Sequence, residues 1–237
     1  MIENNLYKRE HRINDHITIK IPTVRDIIND ESSYYSNISM IISTPYEMMV
    51  QLDSVGIDFS KITEWDLFCF LFKELRTRDL SLIFGDLDLT RFVPSVNEQN
   101  GDRVLRDTST GAIIDQSVHF LISTYLRNML GIEKNDKTPG NEEARKYMIE
   151  RARKKLKRKS KQATRSTLED YIIALVNTKE FPYNYETVLD LTIYQFYASL
   201  RQVIRKVKYD NLMIGCYAGT VSMKEIDQKE LDWITNK

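Results

Sequence analysis

Glycine, histidine and cysteine are scarce in this chain: eight, three and two among 237 residues. No Walker loop, G-x-G-x-x-G or H-E-x-x-H is present, so phosphate-cradling glycine loops and helical histidine metal centres are not expected. Cys69 and Cys216 sit in the apolar segments 67–72 and 213–217 without metal-type spacing. Buried, reduced thiols are expected there rather than a disulfide framework. Long apolar runs are missing too. Nothing approaches the roughly 18 consecutive apolar residues of a membrane span, and residues 1–12 are polar and mixed in charge, without the apolar core of a signal peptide. Neither a membrane partner nor export is expected.

Net charge is also lacking, because 34 Lys and Arg balance 34 Asp and Glu. The balance hides a segregation along the chain. Residues 141–165 hold eleven basic side chains against three acidic ones, and residues 26–90 hold twelve acidic against four basic. Such segments either contact one another or address separate charged partners. With 42% hydrophobic and 10% aromatic residues, the composition is that of a folded chain, not a disordered one.

Periodicity predicts a mainly α fold with a minor β part. Apolar residues at 17, 19 and 21 alternate with Thr18 and Lys20 in a short N-terminal strand stopped by Pro22. Thr23 is placed to cap a helix over 24–29, and residues 32–44 form another. Pro45 starts a third helix that ends near Gly56. Thr63 caps a helix over 65–75, on which Trp65, Phe68, Cys69, Phe72 and Leu75 recur at three- and four-residue spacing. Between 91 and 115, Asn100-Gly101 and Ser109-Thr110-Gly111 separate short β-like runs, as in a hairpin or meander. A helix from 115 or 116 to 130 follows, with Val118, Leu121, Ile122, Tyr125, Met129 and Leu130 as its apolar stripe and Gly131 as its stop. The polar stretch 133–140 is the best boundary. Beyond it, a basic helix over 142–161 is capped by Asn141, a short helix covers 168–176, and a long helix runs from 186 to about 208, with Gly215 and Gly219 breaking the next run. A final short helix covers 222–233. These signals divide the chain into an N-terminal helical part with the small β element (1–132), a polar linker with the basic helix (133–165) and a C-terminal helical part (166–237).

The three histidines, His11, His16 and His119, are isolated, and a structural role is the expected one for each. Asp86 and Asp88 alternate in an extended segment as paired metal-binding carboxylates would, but turn or cap use beside Thr90 is commoner. No catalytic, cofactor-binding or metal residues are expected. Partner binding is the remaining chemistry. The run 151–161, with Arg151, Lys154, Lys155 and Arg158, offers cations for phosphates; the competing reading is a solvated helix docked on the acidic N-terminal half. Met48 and Met49 offer a soft apolar surface or else core packing. Tyr194 and Tyr197, in an aromatic line that also takes in Tyr183, Tyr185 and Phe196, pose the same choice.

The segments Ile21-Pro22-Thr23-Val24-Arg25-Asp26-Ile27-Ile28, Met48-Met49-Val50-Gln51-Leu52-Asp53 with Gly56-Ile57-Asp58-Phe59, Leu191-Thr192-Ile193-Tyr194-Gln195-Phe196-Tyr197 and Gly215-Cys216-Tyr217-Ala218-Gly219-Thr220 resemble proteins of bacteriophages and prophages of low-GC Gram-positive bacteria. Among these the chain looks like the tail assembly chaperones encoded between the major tail protein and the tape measure protein. The resemblance implies a non-enzymatic helical protein of the host cytoplasm. Such a protein would bind the tape measure protein, or another phage tail protein, and keep it from aggregating until tail-tube subunits polymerise. The family brings no catalytic residues, and the basic helix over 145–161 has no counterpart role in it. Two alternatives stand beside this reading, a nucleic-acid-binding accessory protein using that helix and a structural subunit retained in the virion, and a homo-oligomer is compatible with each of the three.

Overall fold

A computed structural model describes residues 5–98, 100–159 and 166–234. The fold is mainly helical with two small antiparallel sheets. Among the described residues no helix is long and apolar enough to cross a membrane. The chain opens with a hairpin of β1 (Glu10–Arg12) and β2 (Thr18–Lys20). As the alternation predicts, Ile17, Ile19 and Ile21 all turn inward and are buried.

Local capping then sets the helix starts. Before α1 (Val24–Ile28), the Thr23 amide donates to the Asp26 carboxylate at 2.8 Å and the Asp26 amide donates to Oγ1 of Thr23 at 3.2 Å. Thr63 and Asp66 repeat this reciprocal arrangement before α4 (Glu64–Leu75). Each such cap contributes about 1 kcal/mol. Between them lie α2 (Glu31–Ile42) and α3 (Met49–Ser54). The expected start of α3 at Pro45 is too early: Thr44 and Glu47 bond each other's amides in a turn, and the helix begins only after Met48. After the short α5 (Ser81–Phe84), the strands β3 (Phe92–Val96), β4 (Arg103–Asp107) and β5 (Ile113–Ile114) form the expected meander, pairing Phe92 with Asp107 and Leu105 with Ile114. Asp107 closes the β4–β5 turn by accepting from Ser109 and Thr110, and these bonds hold its carboxyl down to about 2.

The helix α6 (Gln116–Leu130) starts on an Asp115 cap and stops at Gly131. Gly131 has φ +67, which is why the backbone there requires glycine, and the Arg201 guanidinium lies over the space a Cβ would take. The inward face of α6 differs from the expected stripe: Leu121 is exposed, while Leu126, Ser123, Arg127 and, most tellingly, His119 are buried. His119 lies 4.4 Å from the Phe68 ring in a stacked arrangement, with Nε2 2.9 Å from the Ile41 carbonyl.

The C-terminal half comprises α7 (Glu142–Lys159), α8 (Thr167–Val176) and α9 (Ile193–Tyr217), followed by the short α10 (Gln228–Leu231). Lys161, the end of the expected basic helix, lies outside the described residues. The long helix is shifted toward the C-terminus relative to the 186–208 expectation. Residues Thr187–Asp190 form a 3-10 turn, and a Thr192–Gln195 capping box starts α9 at Ile193. Nor does Gly215 break the helix. It lies inside α9, where the closing turn folds back so closely that a Cβ would lie 2.9 Å from the Val221 side chain, and Gly219, at φ +73, makes that turn.

One main core gathers Ile17, Ile38, Phe72, Leu126, Leu168 and Phe196, from the hairpin through the first turns of α9. A second, smaller core joins Met49, Leu52, Phe59 and Leu67 to Ile149 of α7.

Two outcomes are expected. The Tyr34 hydroxyl is buried and has no hydrogen-bond partner among the described residues; Tyr34→Phe should therefore raise stability by about 1 kcal/mol, or Tm by about 2–4 °C. A lower Tm in calorimetry would show that the hydroxyl is bonded. Burial pushes His119 below its ordinary 6.5, partly offset by the Ile41 carbonyl and Glu64. The unfolded chain then binds the extra proton more readily, so the stability from neutral His119 is complete above pH 6.5 and is lost as pH falls through the depressed folded value. Urea midpoints should fall between neutral pH and mildly acidic pH, and His119→Gln should shrink that fall.

Candidate interaction surfaces

The start of α9 is tied to the N-terminal half by backbone. The Val24 amide donates to the Leu191 carbonyl at 2.9 Å, and the Ile193 amide donates to the Pro22 carbonyl at 2.8 Å. Arg25 and Asp190 pair beside them at 2.8 Å. From this anchor the 25 residues of α9 extend about 37 Å at 1.5 Å per residue. Their apolar positions keep a three–four spacing: Ile193, Phe196, Leu200, Val203, Val207, Ile214 and Tyr217, with Ile204 beside Val203. That is the pattern of a helix that packs along a seam.

Only the first part of the seam is covered. Ile193 and Phe196 are fully buried, and Tyr197, Leu200 and Val203 pack against the main core. Further along, Ile204 is 58% exposed and Ile214 64% exposed, with Val207 between them also exposed. Asp210 interrupts the seam and accepts from Lys206 at 2.5 Å. A second face of the distal helix is occupied by the chain itself. Gln202 donates to the Trp233 carbonyl at 2.7 Å, Lys206 lies 5.2 Å from the Trp233 ring centroid, and Lys208 pairs with Glu230 at 2.5 Å. The tail therefore clasps one side of α9, and the apolar side remains uncovered among the described residues.

The helix α7 has two unlike edges. Its inner edge lies on α3: Ile149 is buried in the second core, Met148 and Ala152 pack against it, Arg145 lies 3.8 Å from Asp58, and Arg153 pairs with Asp53 at 2.5 Å. The basic segment thus docks on part of the acidic segment. Among the described residues, the apolar side chain of this edge beyond Ala152 is Leu156, which is exposed. The outer edge carries Tyr147, Arg151, Lys154 and Arg158, all exposed, and Lys155 is exposed on the flank. Ahead of α7, the 133–140 segment is strapped down by Lys134 on Glu64, which also receives Arg127, and by Oγ1 of Thr44 donating to the Asn135 carbonyl at 2.6 Å.

The structure sorts the remaining candidate residues. Met49 is buried in the second core and Met48 packs at its margin, so both serve the docking of α7. The Tyr197 hydroxyl is 2.7 Å from that of Tyr35, and burial raises both phenols; Tyr194 packs at the margin of the main core. These four do not converge on one patch with the α7 cations. Cys69 and Cys216 are unpaired and half-buried, and burial pushes the Cys69 thiol to about 11, so it stays protonated at neutral pH. Asp88 caps a 3-10 turn by accepting from Thr90 and also pairs with Arg91. No group of three or more His, Cys, Asp or Glu that could hold a metal occurs among the described residues. The extension of the α9 stripe beyond residue 208 was missed in the sequence because Gly215 reads as a breaker; the apolar spacing that resumes at Ile214 and Tyr217 after Asp210 was the signal that could have found it.

Residues 157–237 are similar to the family described as YomV second domain, from a Bacillus prophage-type protein. This phage-related match begins in the last turn of α7 and takes in α8, α9 and the tail; residues 1–156 lie outside it. No curated protein and no solved structure matches the chain.

If the distal stripe is a surface and not part of the core, Ile204→Ser and Ile214→Ser should each change stability by less than about 0.5 kcal/mol. Phe196→Ala, at the buried end of the same seam, should cost about 3–5 kcal/mol. Urea unfolding of the three variants distinguishes the two ends.

Proposed function

We propose that this protein is a non-catalytic phage tail assembly chaperone, working in the host cytoplasm, and that it binds the tape measure protein during tail morphogenesis through the distal stripe of α9. The observation that carries this reading is the apolar seam that outlasts the core, with Ile204, Val207 and Ile214 exposed among the described residues. The stripe lies within the region that matches a phage-related domain, in keeping with the resemblance read from the sequence. An amphipathic helix laid in this seam would continue the packing that Phe196 and Leu200 begin, which is the helix-in-groove mode of recognition. Of the cations along this helix, Lys206 is paired with Asp210 and Lys208 with Glu230, so recognition rests on the apolar stripe.

The magnitudes suit a partner that must later leave. Fully burying one such aliphatic side chain contributes about 1.5–3 kcal/mol, and these three begin partly buried. Set against an association cost of about 4 kcal/mol or more, the seam supports reversible binding, from which polymerising tail-tube subunits can displace the chaperone.

The test is a pull-down of tagged protein from infected or induced cells at low and moderate salt, with and without nuclease, read by mass spectrometry. A long helical phage tail protein should be recovered under all four conditions and lost with the Ile204→Glu, Val207→Glu, Ile214→Glu triple variant. Recovery of nucleic acid alone, sensitive to nuclease and salt, would sink the proposal. Recovery of only a second copy of this chain would reassign the stripe to self-association.

A further inference from the structure

We infer that the outer edge of α7 is a binding strip for single-stranded nucleic acid, independent of the α9 seam. Tyr147, Arg151, Lys154 and Arg158 follow one another at steps of four, three and four residues, which aligns them on one edge of a helix. They span about 16 Å of its length. All four are exposed, Tyr147 at 64%. The docking of the opposite edge holds this row outward: Ile149 is buried against α3, and Asp58 and Asp53 engage Arg145 and Arg153. The acidic half of the chain thus neutralises cations of the inner edge. Near the outer row the acidic groups are Glu143 and Glu150, and Glu150 lies 4.0 Å from Lys154.

The chemistry of the row selects its ligand. A protein partner normally buries an apolar centre at its interface, and this edge has no aliphatic side chain; Leu156 lies on the inner side. What it offers is two planar guanidiniums and an ammonium for phosphate oxygens and one exposed aromatic ring on which a base can stack. A duplex would use only the cations. A single strand would use both, since its bases are open to Tyr147.

The test uses the full chain and a fluorescent mixed-sequence strand of about 20 nucleotides, with the matching duplex and poly-glutamate as comparison ligands, in anisotropy titrations across a salt series. With Arg151, Lys154 and Arg158 engaged, the slope of log K against log salt on the single strand should lie near about −2. Tyr147→Ala should weaken single-strand binding at least about fivefold and leave the duplex nearly unchanged. The Arg151→Glu, Lys154→Glu, Arg158→Glu variant should lose at least about tenfold on the strand, with circular dichroism confirming its fold. Equal charge reversal at the exposed Lys73, Lys137 and Lys179 should retain binding. Failure to bind the strand at the lowest salt would overturn the inference. So would equal loss from the control reversals, tighter binding of the duplex or of poly-glutamate, or indifference to Tyr147→Ala. Neither result bears on the α9 seam, whose variants leave α7 intact.

Discussion

Two backbone hydrogen bonds, from Val24 to Leu191 and from Ile193 to Pro22, decide where the longest helix begins and how it leaves the body of the protein. They join segments about 170 residues apart in the chain and lie beside Thr192, which is buried. Buried backbone groups must be paired, so this junction pins the end of the 3-10 turn and the first turn of α9 together. Ile193 and Phe196 then fall into the main core. A helix of 25 residues started at that point is longer than the core it covers, and its apolar seam must run out over the edge. The uncovered stripe follows from where the helix is anchored.

A second constraint divides the charges. The acidic residues of the N-terminal half lie largely where they cap helices or receive a cation from elsewhere in the chain. Asp58 caps a 3-10 turn and faces Arg145; Asp66 caps α4 and receives Arg103; Glu64 receives both Arg127 and Lys134. Of the α7 cations, two on the inner side are drawn into such pairs, and the outer row is not. Exposed pairs contribute little stability each. Here their effect is orientation: together with Ile149 and the strap over 133–140, they fix which edge of α7 faces solvent. A helix that is basic on nearly all sides thereby acquires one docked edge and one presented edge.

Short-range chemistry made much of this legible from the sequence. The Thr23–Asp26 and Thr63–Asp66 caps, the alternation at Ile17, Ile19 and Ile21, the turns around Gly101 and Gly111, and the Gly131 stop each act within a few residues, and each appears where the pattern put it. The misreadings share another cause. Leu121 is as apolar as Ile122 and His119 is polar, yet His119 is the buried one, because Phe68 and the Ile41 carbonyl, distant in sequence, provide a ring to stack on and an oxygen to bond. Gly215 looks like a breaker, but the returning turn at Val221 uses its missing side chain as space for close approach.

The sequence by itself therefore determined a mainly helical chain with a small meander, the amphipathic character of its long helix and the concentration of cations in 145–161, because these depend on periodicity and composition. Which apolar residues are core and which are surface, and which cations are paired and which presented, only the tertiary structure decided. Met49 and Ile204 are comparable hydrophobes in amphipathic surroundings; one is covered by α7 and the other lies past the end of the core. Arg153 and Arg151 are two positions apart in one basic run, and a carboxylate from α3 meets only the first. Burial and pairing are properties of what lies opposite a side chain, and a local pattern carries no record of that.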